Sequence, residues 1–334
     1  MKIHLKPLAE QVVVITGASS GIGLATARRF AGRGARVALA ARNEADLEAA
    51  VSAIRRGGGR AICRVTDVSD ADQVERLGDH AVREFGQVDT WINNAGVSIY
   101  GRCTEIPLAD LRRQFDVNYW GQVHGMLTAV DLMRDRGGAL INVASAVADR
   151  AIPLQGNYSA TKHAIKAFTD TLRMELEEEG VPISVTLVKP GSIDTPLFGK
   201  AKSFLGVEPQ PIPPVYSPNV VANAILEAAH RPIRDVIAGG MGKVVSLGEK
   251  LSPRITDKYM ERGTFESQKT DTPLSDTRPD NLYAPVDHDG GERGHFSGRV
   301  RKWSAYTQAA LHPKRTVILA TIAAAATAVA ARRE

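Results

Sequence analysis

The sequence contains very little cysteine. Its two cysteines, Cys63 and Cys103, form no CxxC pair and no cluster with histidine. Disulfide scaffolds and zinc sites need such groupings, so neither is indicated and no bound metal is expected. The hydrophobic share of 43% and the charged share of 24% are typical of a soluble globular chain.

Excess positive charge is confined to the C-terminal tail. Residues 299–334 hold seven Lys and Arg against one acidic residue, a local charge of +6 within a total of +5. The body of the protein, residues 1–298, therefore sums to −1. Nucleic-acid binding normally needs a basic face, so we expect no nucleic-acid partner for the main domain.

Long apolar runs are also missing until the last residues. The N-terminal stretch MKIHLKPLAE lacks the apolar core and cleavage site of a secretory signal, which predicts a cytoplasmic protein. Residues 316–331 are uncharged, but as a helix they would span about 24 Å, short of the roughly 30 Å core of a bilayer. Flanking aromatic and basic residues in 299–334 suit anchoring at an anionic membrane surface. An alanine-rich helix that docks on a partner is the open alternative.

The body alternates short apolar, β-branched runs with stretches long enough for crossover helices. The first run is VVVIT at 12–16 and the last is DVIAGG at 235–240. This alternation predicts an α/β fold with a doubly wound parallel sheet, a Rossmann-like three-layer α/β/α arrangement with a C-terminal extension. We expect a catalytic domain over 8–240, a helical extension over 241–266, a disordered polar linker over 267–298 and a basic, alanine-rich tail helix over 299–334.

A glycine-rich turn follows the first predicted strand. In TGASSGIG, Gly17, Gly21 and Gly23 are spaced G-x3-G-x-G at the start of a predicted helix. Such glycines permit a tight turn and let a pyrophosphate approach the helix N-terminus. The second strand ends in Ala41-Arg42, which offers no carboxylate for ribose hydroxyls but a guanidinium for a 2′-phosphate. NADP(H) is therefore favoured over NAD(H), and Ser20 can add a hydroxyl to the same phosphate.

A weak acid and a cation lie one helical turn apart in NYSATKHAIK, at Tyr158 and Lys162. An ammonium at that distance would favour the phenolate and make the tyrosine useful in proton transfer. Together with TGASSGIG, Asp67-Val68, NNAG at 93–96, Asn118, Ser145 and Pro190-Gly191 through Thr195, the pair resembles the small single-domain branch of the short-chain dehydrogenase/reductase family. The resemblance covers about residues 8–240.

The resemblance implies an oxidoreductase that uses NAD(P) and acts on CH–OH groups. Tyr158 would be the general acid or base, Lys162 would lower its pKa and hold the nicotinamide ribose, Ser145 would bind the substrate oxygen, and Asn118 would hold a relay water. The residues implied to bind cofactor are Gly17, Ser19, Ser20, Gly21, Ile22, Gly23, Arg42, Asp67, Val68, Asn94, Ala95, Gly96, Tyr158, Lys162, Pro190, Gly191, Ile193 and Thr195. Asn93 and Asn94 can equally be turn formers.

The substrate side is indicated only by composition. The segment after Thr195 carries apolar residues and prolines where the family commonly places its lid, which favours a lipophilic carbonyl or alcohol; these residues are Phe198, Phe204, Leu205, Val207, Ile212, Val215 and Tyr216. The resemblance also implies a homodimer or homotetramer. A nucleotide-sensing or scaffold protein without turnover, and a membrane-tethered enzyme acting on lipid, are the alternative functions.

Overall fold

The computed structural model describes residues 3–240, 248, 251–275, 277–313 and 316. Its strands are β1 (Val12–Thr16), β2 (Arg36–Ala41), β3 (Arg60–Val65), β4 (Thr90–Asn93), β5 (Ile99–Tyr100), β6 (Gly138–Val143), β7 (Ile183–Pro190), β8 (Lys202–Ser203), β9 (Val207–Pro209), β10 (Val215–Tyr216), β11 (Asp235–Ala238), β12 (Lys269–Pro273) and β13 (Val300–Arg301). Its α-helices are α1 (Gly21–Ala31), α2 (Glu44–Arg56), α3 (Ala71–Phe85), α4 (Leu108–Phe115), α5 (Gly121–Met133), α6 (Gly156–Glu178), α7 (Leu197–Lys200), α8 (Pro218–His230), α9 (Pro253–Gly263) and α10 (Ala305–Leu311).

Seven strands form one parallel sheet in the order β11-β7-β6-β4-β1-β2-β3. All residues of β1, β6 and β7 are buried, as expected for strands covered on both faces. One apolar layer unites α1, α2 and α8 with the sheet, and the other unites α3, α5 and α6 with it. The predicted doubly wound sheet is confirmed, including the last strand at DVIA.

The sheet changes winding direction between β1 and β4. From β1 the chain winds outward to β2 and β3, and after β3 it returns to β4 on the opposite side of β1. The loops that leave these two strands therefore diverge, and a crevice opens at their carboxyl ends. Helix starts near this edge are capped by side chains, as where Asn43 accepts the backbone N–H of Asp46 at 3.0 Å to begin α2.

The structure differs from the expected disordered linker at residues 267–298. β12 pairs antiparallel with β9, and the chain then crosses the carboxyl edge of the sheet, where Leu282 is fully buried. Polar side chains of the main domain donate hydrogen bonds to backbone carbonyls of this segment. The Asn43 side-chain nitrogen, for example, donates to the carbonyl of Val286 at 2.8 Å. Composition argued for disorder because it counts only apolar side chains, whereas these contacts use the main chain.

The remaining extension is described in part. α9 lies within the expected helical extension, and α10 packs against α8 and β11. The described residues include no helix with the length and apolarity needed to cross a bilayer. Residues 317–334, which hold most of the apolar tail run, lie outside the described part, so the expected tail helix is not tested beyond α10.

Candidate active site

A cavity of about 600 Å³ runs along the carboxyl edge of the sheet. It extends from Arg42 at the end of β2 to Tyr158 on α6, and its size is within the range of ligand-binding sites. All the site residues predicted from sequence line this cavity except Gly23 and Asn118. The structure therefore brings residues from six strand ends and two helices to one continuous space.

The glycine loop forms one end of the cavity and is packed to its steric limit. Gly17 has a left-handed φ of +65°. A Cβ atom at Gly23 would lie 2.1 Å from the Gly17 carbonyl oxygen, so only glycine fits there. The backbone can thus turn tightly into α1, whose N-terminus borders the cavity. This cradle fits the pyrophosphate of a dinucleotide, because helix N–H groups and the dipole favour an anion.

Asn93 and Asn94 have different structural roles. The side chain of Asn94 donates to the carbonyls of Thr16 and Gly17 at 3.0 and 3.1 Å, which ties the glycine loop to β4. Asn93 is buried away from the cavity and accepts the indole N–H of Trp91 at 2.8 Å. Only Asn94 therefore belongs to the cavity wall.

At the same end of the cavity, two charged side chains already have partners. Arg42 donates to the carbonyls of Asn281 and Tyr283, the latter at 3.1 Å, and burial lowers the pKa of its guanidinium. Burial opposes ionisation of Asp67, yet hydrogen bonds from Arg113, at 2.7 Å, and from Ser69 outweigh it and lower the pKa of this carboxyl. Arg42 uses two of its five N–H donors, which leaves donors for a further anion.

Tyr158 and Ser145 meet at the opposite end. Ser145 follows β6 and caps a short 3₁₀ turn by accepting the backbone N–H of Val147 at 3.3 Å. Its side chain is hydrogen-bonded to Tyr158, which lowers the pKa of the phenol, but loss of solvent around the phenol has a larger effect and raises it to about 12. The Tyr158 hydroxyl is therefore protonated at neutral pH.

Lys162 lies one turn along α6 and is only 4% exposed. Its ammonium donates to the carbonyl of Val143 at 3.2 Å and lies 5.5 Å from the centroid of the Tyr158 ring. Burial lowers the pKa of Lys162 to about 8. The sequence predicted that Lys162 lowers the pKa of Tyr158; in the structure burial dominates both groups and raises the tyrosine pKa instead.

Asn118 is placed behind the cavity wall, in a π-helical turn over Asp116–Trp120. It accepts the backbone N–H of Val97 at 2.8 Å and donates to the Thr161 hydroxyl at 3.3 Å. Gly96 separates it from Lys162, since a Cβ there would lie 3.3 Å from Asn118 Oδ1 and 3.9 Å from Lys162 Nζ. Single π-turns of this kind occur often at functional sites.

The C-terminal extension adds lining residues that sequence reasoning missed. α9 contributes Tyr259 and Met260, and the segment that crosses the sheet edge contributes Asn281, Pro285 and Asp289 beside Arg42 and the glycine loop. Of the predicted lid residues, Phe198, Ile212 and Tyr216 line the cavity, whereas Phe204, Leu205, Val207 and Val215 do not. The missed residues carry no local motif. Among them, only Met260 could have been identified from the sequence as a buried residue, because it lies on the apolar face of an amphipathic helix.

The buried lysine leads to a stability prediction. In Lys162→Met, removal of a buried cation should raise the free energy of unfolding by about 1–3 kcal/mol at pH 7. The pKa of Lys162 is about 8 in the folded protein and about 10.4 in the unfolded chain. The buried ammonium therefore destabilises the wild type fully below pH 8, and this destabilisation disappears as pH rises through 10.4. Urea unfolding should show that Lys162→Met has a higher free energy of unfolding than the wild type at pH 7, and that this difference is smaller at pH 10.

Lys166→Met is the control, because Lys166 is a more exposed lysine one turn further on α6. Its free energy of unfolding should differ from that of the wild type by less than about 0.5 kcal/mol. A Lys162→Met protein that is less stable at pH 7 would contradict the burial argument.

Comparison with known proteins agrees with this geometry. Residues 11–205 match the family model described as short chain dehydrogenase. An uncharacterised oxidoreductase of Bacillus subtilis, YxnA, is 41% identical over 99% of this chain and 93% of its own. An 11-beta-hydroxysteroid dehydrogenase-like protein of Arabidopsis thaliana is 36% identical over 58% of this chain and 62% of its own.

Two solved structures have the same architecture. A short chain dehydrogenase/reductase from Burkholderia phymatum in complex with NAD has a TM-score of 0.64 and 28% identity, over 81% of this chain and 100% of that one. An alcohol dehydrogenase from Thermococcus sibiricus complexed with 5-hydroxy-NADP has a TM-score of 0.60 and 28% identity, over 68% and 95%. The chain therefore belongs to the short-chain dehydrogenase/reductase family, and is an oxidoreductase with a Rossmann fold for a nicotinamide cofactor.

Proposed function

We propose that this protein is an NADP(H)-dependent oxidoreductase that moves a hydride between nicotinamide and a lipophilic ketone, aldehyde or secondary alcohol. The observation that carries this proposal is the convergence of Tyr158, Ser145 and the buried Lys162 at one end of a cavity. Apolar side chains contribute to the lining of this cavity, among them Ile152, Phe198, Ile212 and Met260.

The bound cofactor supplies or accepts the hydride, and the protein controls the proton. During reduction, the Tyr158 hydroxyl gives its proton to the carbonyl oxygen, a role suited to a phenol whose pKa of about 12 keeps it protonated. Ser145 donates a hydrogen bond to the same oxygen as negative charge develops there. Lys162 stabilises the phenolate that Tyr158 leaves behind, and Asn118 holds the α6 turn before Lys162 through Thr161.

The cofactor residues follow the cavity from end to end. The glycine loop with Ser19, Ser20, Gly21, Ile22 and Gly23 would hold the pyrophosphate. We assign Asp67 and Val68 to the adenine, and Asn94, Ala95 and Gly96 to the adenosine side. We assign the end of β7 and the loop after it to the nicotinamide amide, through Pro190, Gly191, Ile193 and Thr195.

NADP is the favoured cofactor because Arg42 offers unused donors at the end of β2. Arg42→Gln should weaken NADPH binding about tenfold or more and change NADH binding less than about threefold. Fluorescence titration of both cofactors measures the difference. Arg113→Gln, which loses a neighbouring bond to the Leu282 carbonyl, is the control and should not discriminate between the cofactors. Equal losses for NADPH and NADH in Arg42→Gln would mean that Arg42 only supports the crossing segment.

The substrate class is tested by a screen of the full-length protein with NADPH and NADH against ketones, aldehydes and secondary alcohols of increasing apolar size. We expect the ratio kcat/KM to rise with apolar size, because the cavity lining is largely apolar. A preference for small charged carbonyls would contradict the proposal.

We also propose a homodimer or homotetramer built on α5 and α6. Leu127 and Met174 on these helices are 50% and 61% exposed, which is unusual for large apolar side chains on neighbouring elements. Sedimentation of the purified chain would test this assembly.

A further inference from the structure

Residues 280–294, called the strap here, cross the cofactor cavity at the end where the glycine loop and Arg42 lie. The strap contributes Asn281, Pro285 and Asp289 to the cavity lining. The cavity remains continuous beneath it from Arg42 to Tyr158. The strap therefore lines this space at the end where the glycine loop lies.

The first part of the strap is held by two arginines. Arg42 donates to the carbonyls of Asn281 and Tyr283, and Arg113 donates to the carbonyl between them, of Leu282, at 3.2 Å. Three consecutive main-chain oxygens are thus bound by cations of the main domain. This part is fixed with no need for apolar side chains other than Leu282.

The middle of the strap closes onto the glycine loop through Asp289. Its carboxylate accepts from the Ser19 hydroxyl and from the Lys200 ammonium, the latter at 2.8 Å. Lys200 also donates to the Ser20 hydroxyl at 3.1 Å, and the Lys200 and Asp289 side chains are only 12% and 11% exposed. One carboxylate therefore joins α7, the strap and the loop expected to hold the pyrophosphate.

Beyond Asp289 the strap continues along the same loop. The Gly291 carbonyl accepts the backbone N–H of Gly21 at 3.0 Å, and Arg28 on α1 pairs with Glu292 at 2.7 Å. Arg293 pairs with the buried Asp194 at 2.9 Å. A dinucleotide lying in the cavity would pass between the sheet edge and the strap at this end, so opening of these contacts would ease its release.

We propose that the strap closes over the bound nicotinamide cofactor and retains it, with Asp289 as the positioning residue that latches the strap to Ser19 and Lys200. The proposal rests on the proposed use of a nicotinamide cofactor, but not on the choice of NADP over NAD. Retention follows because cofactor release requires an open strap, and the Asp289 contacts determine how often it opens.

The test is the release rate of NADPH, and in parallel of NADH, from the full-length protein, followed by cofactor fluorescence after mixing with excess oxidised cofactor. Asp289→Asn keeps the shape of the side chain but removes its charge, and should speed release about tenfold for both cofactors. Asp287→Asn makes the same chemical change at an exposed strap position and should stay within about twofold of the wild type. Thermal unfolding of both variants verifies that each is folded.

A second measurement separates a strap that retains the bound cofactor from one that competes with the cofactor for the cavity. Arg293 is 57% exposed and offers a trypsin site on the strap. Bound NADPH should slow cleavage after Arg293 in the wild type, because a retaining strap opens less often over its cofactor. Two results would overturn the proposal. One is an unchanged rate of cofactor release from Asp289→Asn. The other is tighter NADPH binding by this variant together with faster trypsin cleavage after Arg293 when NADPH is present.

Failure of the strap proposal can be told apart from failure of the proposed function. A wild-type protein that binds NADPH or NADH but reduces no carbonyl in the substrate screen would remove the proposed function, and the release rates would still decide the strap proposal. If neither NADPH nor NADH binds to the wild-type protein, both proposals fall. Normal binding with normal release from Asp289→Asn removes the strap proposal alone.

Discussion

Tyr158→Phe is expected to lower kcat for carbonyl reduction by about 10²–10⁴-fold while cofactor affinity stays within about threefold. The substitution removes only the hydroxyl that is hydrogen-bonded to Ser145 and keeps the ring that packs against Lys162. Without this hydroxyl the developing alkoxide has no positioned proton donor. Steady-state kinetics on any substrate found in the screen, with a separate cofactor titration, measures both quantities.

Tyr100→Phe is the matched control for this experiment. Tyr100 lines the same cavity and is almost fully buried, but it lies on β5 and not one helical turn from Lys162 on α6, so we expect it to take no part in proton transfer. Loss of its hydroxyl should change kcat by less than about threefold. If Tyr158→Phe kept full activity, or if both variants lost activity equally, Tyr158 would not be the proton donor.

Gly23→Ala is expected to weaken cofactor binding by about 100-fold or more. The new Cβ would lie 2.1 Å from the carbonyl oxygen of Gly17 and 2.7 Å from the side-chain nitrogen of Asn94. The nearest of these atoms belongs to the backbone of the glycine loop itself, so it cannot rotate away as a flexible side chain would. The turn must open, and the N-terminus of α1 then leaves its position beside the cavity.

Cofactor titration by fluorescence, together with thermal unfolding, measures this effect. Gly57→Ala is the matched control, because a Cβ at the end of α2 would meet only carbonyl oxygens at 3.4 and 3.7 Å and the backbone there needs no left-handed conformation. It should leave cofactor binding unchanged. Normal binding by a folded Gly23→Ala protein would mean that the glycine loop does not hold the cofactor as proposed.

Much of the fold could be predicted from local patterns. Fully buried strands such as β1 and β7 appear in the sequence as continuous apolar runs, and amphipathic helices separate them. The arrangement of the candidate site could be predicted where it depends on short spacing: three glycines around one turn, and Tyr158 with Lys162 one helical turn apart. Such spacings place groups together whatever the rest of the chain does.

The strap was not predictable, because its contacts join residues far apart in sequence and use main-chain oxygens. Arg42 and Asn281 are separated by 239 positions, and no side-chain pattern in 267–298 indicates that two arginines bind its carbonyls. The pKa of Lys162 could not be predicted from the sequence either. Spacing suggested a charged lysine beside the tyrosine, whereas its burial, which lowers the pKa to about 8, depends on elements packed around it.

The sequence by itself thus determined the parallel sheet, the glycine loop and the tyrosine–lysine pair, because each arises from interactions within a few residues or within one strand. Only the tertiary structure decided what covers the cavity, which partners Arg42 has, and how far burial shifts the pKa values of Tyr158 and Lys162. These depend on contacts between residues far apart in sequence and on loss of solvent, which arise only when the chain has folded.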